Sequence, residues 1–358
     1  MTRACLPSGR GAGFGLGTVL LLALALAGCV RAPDAPISDH FDGQRFFNPR
    51  TPRDVPDSII GQAFVGSDAG EWPDAIQNPP ADPVPDRVDG GDLRVTFVNH
   101  ATVLLQTRGL NILTDPVYAY RAGPAFFVGP RRRREAGIAF DALPKIDAIL
   151  VSHNHYDHLD LTTLRRLYAR DRPAIIMPLG NASLLAGIAP GIPTTELDWG
   201  EERRLTEDIT IRMEEAQHWS ARGPLDQNLA LWSAFTIATP DGPIYFAGDT
   251  GFSDAVHFRE ARRRNGPYRL ALLPIGAYEP RSENRLIHMK PEEAVKAHLA
   301  LGAGTSLAVH HGTFRLSDEA FGEPVRDLER AKRALGLAPS DFLALENGQG
   351  FTLPAPSG

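Results

Sequence analysis

Residues 151–160 read V-S-H-N-H-Y-D-H-L-D, which puts four residues of metal-binding type within six positions. These residues are His153, His155, Asp157 and His158. Neutral imidazole and carboxylate are the usual protein ligands of zinc and similar divalent ions, and such a set can be shared between two adjacent metals. Four of them in one turn seldom serve packing alone. The stretch therefore predicts a two-metal hydrolase, with a solvated histidine-rich loop as the alternative.

The neighbouring residues predict that this stretch connects a strand to a helix. Residues 146–151 are apolar and rich in isoleucine and valine, which is typical of a buried strand. His153 and His155 are two positions apart and can point the same way from extended backbone. Asp160 is a suitable N-cap, and leucines at helical spacing follow it. The stretch is thus expected to lie at a strand end.

The composition is that of a globular protein and argues against a nucleic-acid partner. Of 358 residues, 43% are hydrophobic and 22% are charged, and the formal net charge is -6 without an extended basic face. One catalytic domain, residues 92–358, is enough to account for the folded part. Cys5 and Cys29 are the two cysteines, so this domain is expected to hold no disulfide and no thiolate ligand.

Residues 1–28 have the pattern of a signal peptide. Arg3 and Arg10 precede a short apolar run that ends in L-A-G-C at Cys29. That tetrapeptide resembles the lipobox of bacterial lipoproteins, which implies that Cys29 becomes the acylated first residue of the mature chain. Because Val30 follows it, an outer-membrane location facing the periplasm is expected. A plain membrane anchor or an ordinary signal peptide is the alternative.

Residues 29–91 are predicted to form a proline-rich tether. This segment contains ten prolines, and P-P at 79–80 and P-V-P at 83–85 favour extended, semi-rigid backbone. It is expected to span distance more than to pack. The F-F-N-P stretch at 46–49 leaves docking on the domain open.

Short strand-like runs alternate with helical patterns through the folded part, which suits two sheets covered by helices. The predicted strands are 93–98, 102–106, 111–114, 148–151, 174–177, 209–213, 230–237, 244–246, 270–273, 306–309 and 350–353. The predicted helices follow Asp160 and cover 254–264 and 291–299.

Three further candidate ligands lie at predicted strand ends. His218 and Asp249 each follow a strand, and His310 directly closes one. A single histidine after a strand is more often a hydrogen-bonded polar residue, but the shared position of these three favours one site. The direct strand end favours His310 over His311.

Five motifs follow one another along the predicted domain. They are V-S-H-N-H-Y-D-H-L-D at 151–160, A-Q-H-W-S at 216–220, Y-F-A-G-D-T-G-F at 245–252, L-L-P-I-G-A-Y-E-P-R at 272–281 and H-H-G-T-F at 310–314. Together they resemble the metallo-β-lactamase superfamily, and within it the branch that contains N-acylphosphatidylethanolamine-hydrolysing phospholipase D. The resemblance runs from about Leu93 to Leu328. It implies an α+β fold, an αββα four-layer sandwich with the metals at one edge of the two sheets.

The resemblance also implies a role for each candidate ligand. One zinc would be held by His153, His155 and His218, the other by Asp157, His158 and His310, with Asp249 bridging the two. As catalytic residues, Asp157 and Asp249 would orient the hydroxide that two zinc ions generate from a shared water. His311 stands where this branch often has tryptophan, and Asn99 where glycine is common. The first departure leaves open whether His310 or His311 is the ligand.

Residues beside the ligands are expected to orient them or to meet the substrate. His100 and Asp115 are candidates for orienting ligands. The candidates for substrate contact are Tyr278, His288, His311, Arg131 and Arg132, with packing or a solvated loop as the alternative. His40, His257 and His298 belong to no motif and are expected to be ordinary surface or core residues.

The resemblance implies a phospholipase D-like phosphodiesterase that cleaves a phospholipid head group, N-acylphosphatidylethanolamine-like, and leaves phosphatidate. An acylated Cys29 would place such an enzyme at the membrane that holds its substrate. A lactonase or other carbonyl hydrolase of the same fold is the second hypothesis, and a non-enzymatic metal-binding envelope lipoprotein is the third. Metals other than zinc and the oligomeric state stay open.

Overall fold

The computed structural model describes residues 32–51 and 70–356, which form two sheets with helices on their outer faces. The predicted signal peptide and Cys29 lie outside the described residues. Among the helices that are described, none has the length and apolar character needed to cross a bilayer.

Each sheet has seven strands, in the orders β14-β1-β2-β3-β4-β5-β6 and β13-β12-β11-β10-β9-β8-β7. Sheet one consists of β1 (Leu93–Asn99), β2 (Thr102–Thr107), β3 (Leu110–Thr114), β4 (Ala148–Leu150), β5 (Ala174–Pro178), β6 (Thr194–Leu197) and β14 (Gly350–Leu353). Sheet two consists of β7 (Glu202–Arg204), β8 (Thr210–Glu214), β9 (Ala234–Ala238), β10 (Ile244–Phe246), β11 (Leu270–Pro274), β12 (Thr305–Val309) and β13 (Phe342–Leu343).

The parallel half of each sheet determines where a site can form. Strands β3 to β6 run parallel to one another, and so do β10 to β13. The carboxyl ends of parallel strands share one edge of a sheet, and ligands commonly bind in the crevice outside that edge. The loop after β4 and the loops after β10 and β12 therefore open on candidate binding edges.

The two sheets pack face to face through one apolar core. Val95 and Leu105 of sheet one and Phe235 and Leu272 of sheet two belong to this core and are fully buried. Side chains alternate between the faces of a strand, so the opposite faces are free to pack against helices.

In the part of the chain that the structure describes, six α-helices accompany the two sheets. They are α1 (Leu161–Asp171), α2 (Ala182–Ile188), α3 (Val256–Asn265), α4 (Arg281–Asn284), α5 (Pro291–Leu301) and α6 (Glu323–Leu335). Helices α1 and α2 pack on sheet one, and α3, α5 and α6 pack on sheet two. The predicted αββα sandwich is confirmed.

Helix α1 begins where the sequence predicts. The Asp160 carboxylate accepts a hydrogen bond from the backbone N–H of Thr163 at 3.1 Å, which caps the helix. The same carboxylate accepts from the backbone N–H groups of Tyr118 and Ala119, at 3.1 and 2.9 Å. One aspartate thus fixes both the start of α1 and the loop that follows β3.

The strand predicted at 230–237 begins only at Ala234. Before that point the chain bonds across to sheet one: the backbone N–H of Leu231 donates to Leu179 and that of Ser233 to Ser152. The β7 strand was not predicted because its residues are charged and exposed, so it has no apolar alternation.

Part of the segment predicted as a tether packs on the domain. Phe41 and Phe46 are buried in the core beneath the helices of sheet two. The sequence left open that residues 46–49 pack on the domain. The side-chain amide of Asn48 donates to the backbone carbonyl of His218 at 2.7 Å. The described residues of this segment therefore pack more than the proline content predicts, and its limits as a separate region stay a prediction.

Candidate metal centre

The seven side chains that the sequence predicts as metal ligands meet at one edge of the two sheets, and His100, Asp115 and His288 lie in the same groups of side chains that could hold a metal. The seven are His153, His155, Asp157, His158, His218, Asp249 and His310. The first four follow β4 of sheet one, and the other three follow β8, β10 and β12 of sheet two. All seven are at most 9% exposed, so a charge among them would be poorly solvated.

Three imidazoles form the first half of the cluster. His155 Nδ1 lies 2.8 Å from His153 Nε2 and 3.3 Å from His218 Nε2. His153 Nδ1 contacts the Ser152 hydroxyl at 2.9 Å, and His218 Nδ1 donates to the Ile287 carbonyl at 2.9 Å. Because their outer nitrogens carry the protons, His153 and His218 turn bare Nε2 lone pairs toward a common point.

Two carboxylates and two imidazoles form the second half. Asp249 Oδ2 lies 3.1 Å from His158 Nε2 and 3.0 Å from His310 Nε2. Asp157 Oδ2 lies 3.5 and 3.3 Å from the same two nitrogens. Asp249 Oδ2 is also 4.0 Å from His153 Nε2 and 3.8 Å from His218 Nε2, so this carboxylate faces both halves.

Asp115 and His100, which the sequence predicts to orient ligands, both contact the cluster. Asp115 Oδ2 accepts from His158 Nδ1 at 2.6 Å and from the Ser152 hydroxyl at 2.6 Å. His100 Nε2 lies 3.0 Å from Asp157 Oδ2, and its ring centre is 4.2 Å from that of His310. His100 is thus closer to the cluster than a purely supporting residue needs to be.

A glycine lets Asp249 approach the loop of sheet one. Gly248 has φ +57°, and a Cβ at this position would lie 2.5 Å from Ser152 Cβ. Both the backbone conformation and the space therefore require glycine. The turn after β10 can bring its carboxylate to the histidines of the other sheet only because residue 248 has no side chain.

The fold favours the protonation states of metal ligands at His153, His155, His218 and Asp249, whereas at His158 and His310 burial opposes a charge but the neighbouring carboxylates raise the pKa. Burial and the neighbouring imidazoles lower the pKa values of His153 and His155, and burial lowers the pKa of His218 to about 4. Burial acts against ionisation of Asp249, but His158 and His310 outweigh it and hold the pKa of this carboxyl well below its usual range. Neutral imidazoles and ionised carboxylates are the species that bind divalent ions.

The donor set fits two divalent ions. His158 Nε2, His310 Nε2 and Asp249 Oδ1 are buried and have no hydrogen-bond partner among the described residues. Burial opposes a charge on His310, yet Asp249 and Asp157 raise the pKa of His310 to about 9. The two buried carboxylates therefore favour a positive charge beside them. One ion would be held by the first half, a second by the other half, and Asp249 would be shared.

The structure separates His310 from His311. His310 lies in the cluster, whereas the ring of His311 stacks on Phe97 with ring centres 5.5 Å apart. The sequence left open whether His310 or His311 is the metal ligand, and the geometry favours His310.

The predicted substrate residues divide into two groups. His288 lines the pocket at the cluster, with Nδ1 3.9 Å from Asp249 Oδ2. Tyr278 donates to Asp327 at 3.0 Å outside this pocket, and Arg131 pairs with Asp74. Arg132 is buried and donates to backbone carbonyls, including that of Val117 at 2.9 Å. Of these four residues, the structure brings only His288 to the pocket.

Other residues complete the pocket without having been predicted. Its walls include Trp219, Asn284, Ile287, Leu316 and Ser317. Trp219 lies in a quoted motif, but the others belong to α4 and to loops, where no periodic pattern distinguishes a pocket residue from a solvent-facing one. The pocket measures about 50 Å³, and both polar and apolar side chains line it next to the cluster.

The fold and the paired ligand cluster define a metal-dependent hydrolase. The family model described as a beta-lactamase superfamily domain matches residues 110–311. N-acyl-phosphatidylethanolamine-hydrolyzing phospholipase D 1 of Caenorhabditis elegans is 38% identical over 268 residues, which cover 72% of this chain and 75% of that protein. The chain belongs to the metallo-β-lactamase superfamily, in the branch of these phospholipases.

The chain is also similar to a further protein and to a solved structure. An uncharacterized protein of Mycobacterium tuberculosis is 40% identical over 259 residues, which cover 70% of this chain and 68% of that protein. The structure of a metallo hydrolase from Ignicoccus hospitalis superposes with a TM-score of 0.57 at 19% identity, covering 74% of this chain and 99% of the other. At that identity the structural likeness shows the fold alone.

Proposed function

We propose that this protein is a zinc-dependent phosphodiesterase that cleaves phospholipids of the N-acylphosphatidylethanolamine type on the head-group side of phosphorus and leaves phosphatidate. The observation that carries the proposal is the cluster of seven ligand-type residues, of which His155, Asp157, Asp249 and His310 line a narrow pocket. The similarity to the Caenorhabditis elegans phospholipase supports the substrate class.

The pocket is matched to a phosphoryl group. Its volume of about 50 Å³ compares with about 30 Å³ for one water in the liquid, so it admits a compact polar group and excludes an acyl chain. When bound, zinc ions would supply Lewis acidity that activates water and stabilises charge at phosphorus. Asp157 and Asp249 hold their carboxylates at the base, where they can orient an attacking water.

Other side chains position the substrate and exclude bulk water. His288 has a buried Nδ1 without a hydrogen-bond partner in the described part of the chain, and it faces the pocket beside Asp249. It is placed to contact a phosphoryl or leaving oxygen. Trp219, Ile287 and Leu316 surround the opening with apolar surface, which strengthens electrostatic interactions inside.

A membrane anchor would suit this reaction. Acylation of Cys29 would hold the enzyme at the periplasmic face of the outer membrane, where its lipid substrate is concentrated. The support for this location is the L-A-G-C sequence, which lies outside the described residues.

The test uses the full-length protein with its metal content measured. Mixed micelles of N-acylphosphatidylethanolamine are incubated with it in water enriched in ¹⁸O, and phosphatidate is analysed by mass spectrometry. We expect zinc-dependent phosphatidate carrying ¹⁸O, because water attacks phosphorus. Asp254→Asn is the matched control for Asp249→Asn, since Asp254 is exposed and only caps the start of α3.

Parallel assays with lactones and β-lactams decide between hydrolase classes. Turnover of lactones without any phosphodiester cleavage would overturn the proposal in favour of a carbonyl hydrolase. Absence of turnover on every substrate, with metal bound, would favour the non-enzymatic envelope lipoprotein.

A further inference from the structure

A second cavity adjoins the metal centre on the side of His311. Its volume is about 200 Å³, four times that of the pocket at the cluster. Ala277, His310, Leu316 and Ser317 line both spaces, so the two are neighbours across one wall. An engineered cavity of about 150 Å³ holds a benzene ring, so this space admits an organic group of several heavy atoms.

The cavity is mainly apolar, and one wall comes from the N-terminal segment. Trp72 Nε1 donates to the Glu319 carbonyl at 3.0 Å, and the Trp72 ring meets that of Phe321 edge to face at 5.4 Å. Val325 of α6 and Leu345 complete the apolar surface. Such a lining favours a hydrocarbon group over water.

The charged groups at the cavity are already compensated. Arg134 forms an ion pair with Glu346. The Glu319 carboxylate accepts hydrogen bonds from the backbone N–H of Ala277 and the hydroxyl of Ser317. A ligand of this cavity is therefore expected to be neutral, because a further charge would find no partner.

One buried acceptor at the cavity has no partner. His311 Nδ1 bonds to the backbone carbonyl of Ala308, which fixes the proton on that nitrogen. Nε2 is then an acceptor, and it is buried with no hydrogen-bond partner among the residues that the structure describes. A buried acceptor without a partner favours a ligand that offers a hydrogen-bond donor.

His310 offers a hydrogen-bond donor, whereas His311 offers an acceptor. The Nδ1 of His310 is also buried and unpartnered within the described part of the chain, and this nitrogen would carry the ring proton when Nε2 binds a metal. Together His310 and His311 offer one donor and one acceptor. A secondary amide offers one of each and is neutral.

We propose that this cavity binds the secondary amide and the first part of the acyl chain of an N-acylated phospholipid. The inference rests on the proposed function, since it places the N-acyl group that the pocket at the cluster cannot admit. His311 accordingly acts as a specificity residue: its Nε2 accepts from the amide N–H while the chain lies against Trp72, Phe321 and Val325.

A binding experiment tests this without turnover. Calorimetry on the metal-loaded full-length protein compares N-decanoylethanolamine with 2-hydroxyethyl decanoate, an ester that lacks the N–H donor, with the ester checked for integrity by mass spectrometry. We expect the amide to bind about two- to tenfold more tightly than the ester, as one neutral hydrogen bond allows. His311→Phe should abolish this preference while keeping the stacking on Phe97, and His311→Gln should restore part of it.

A filling variant tests the location. Val325→Trp should weaken amide binding at least tenfold, whereas Leu335→Trp, on the exposed end of the same helix, should leave it unchanged. Thermal melting checks that both variants fold. If Val325→Trp does not fold, the amide-to-ester ratio of the His311→Phe variant decides alone.

The outcomes separate the two proposals. Equal binding of amide and ester to the unsubstituted protein, or an unchanged ratio in His311→Phe, overturns the cavity assignment even if N-acylphosphatidylethanolamine is hydrolysed. Binding of the amide that Val325→Trp removes, in a protein that cleaves no phosphodiester, keeps the assignment and overturns the proposed reaction.

Discussion

The two sheets supply the metal centre in different ways. Sheet one provides four of the seven candidate ligands from a single loop, 153–158, directly after β4. Sheet two provides His218, Asp249 and His310 from the ends of three separate strands. The first group is positioned by local geometry, whereas the second group meets only when β8, β10 and β12 have taken their places. This difference predicts which substitutions should impair metal binding and turnover most.

Each group also has its own support. On the side of sheet one, Asp115 holds His158 and Ser152 through three short contacts. On the side of sheet two, the Thr250 hydroxyl accepts from the Gln217 backbone N–H at 2.9 Å and contacts His257 Nε2 at 3.2 Å. The support from Asp115 is expected to be the stronger of the two, because hydrogen bonds to a charged carboxylate are stronger than hydrogen bonds between neutral groups.

Asp249→Asn should have the largest effect, because this residue alone faces both groups. Losing the shared carboxylate removes several kcal/mol of metal-derived stabilisation, so turnover should fall about 10³-fold. Bound metal, measured by mass spectrometry of the purified protein, should fall as well. A variant with unchanged metal content and activity would show that the two groups do not share a ligand.

Asp115→Asn should rank second and should affect the side of sheet one. A supporting carboxylate of this kind is worth about 10- to 100-fold in metal affinity. Competition with a chelator measures that affinity. Asp171→Asn serves as the control, since Asp171 accepts from the Ile146 backbone N–H at 2.9 Å away from the cluster. Equal affinities in the two variants would contradict the role of Asp115.

The same difference explains how much of the site could be predicted. The loop after β4 is local, so residues 151–160 indicate metal binding on their own. His218, Asp249 and His310 gain significance only from their shared position at strand ends and from the resemblance. Trp72 could not be predicted, because nothing in a proline-rich stretch indicates that it closes a cavity beside β12. The fold was predictable where apolar alternation exists, and the exposed β7 strand lacks it.

His257→Phe should have a smaller effect, on the side of sheet two. The ring is buried, which lowers the pKa of His257 to about 3, so it contacts Thr250 as a neutral group. Loss of one neutral hydrogen bond costs about 1 kcal/mol, which is about a fivefold loss of metal affinity. The chelator competition used for Asp115 measures it. A loss beyond 100-fold would mean that the sheet-two turn depends on His257 as strongly as the other side depends on Asp115.

The smallest effect is expected where the chain passes from one sheet to the other. Asp198 lies between β6 and β7, and its carboxylate contacts His40 Nε2 at 2.7 Å, while the His40 ring stacks on Trp199 with ring centres 4.4 Å apart. Burial acts to lower the pKa of His40, but Asp198 and Asp39 outweigh it and raise this pKa above 6.5. The contribution to stability is therefore complete below pH 6.5 and is lost as the pH rises through the raised value.

His40→Gln should accordingly lower the melting temperature more at pH 6 than at pH 9. Asp198→Asn should show the same pH dependence, because it removes the partner that raises the pKa. A destabilisation that is equal at both pH values would mean that His40 holds the N-terminal segment by packing on Trp199 alone. The junction of the sheets would then be fixed by apolar contact.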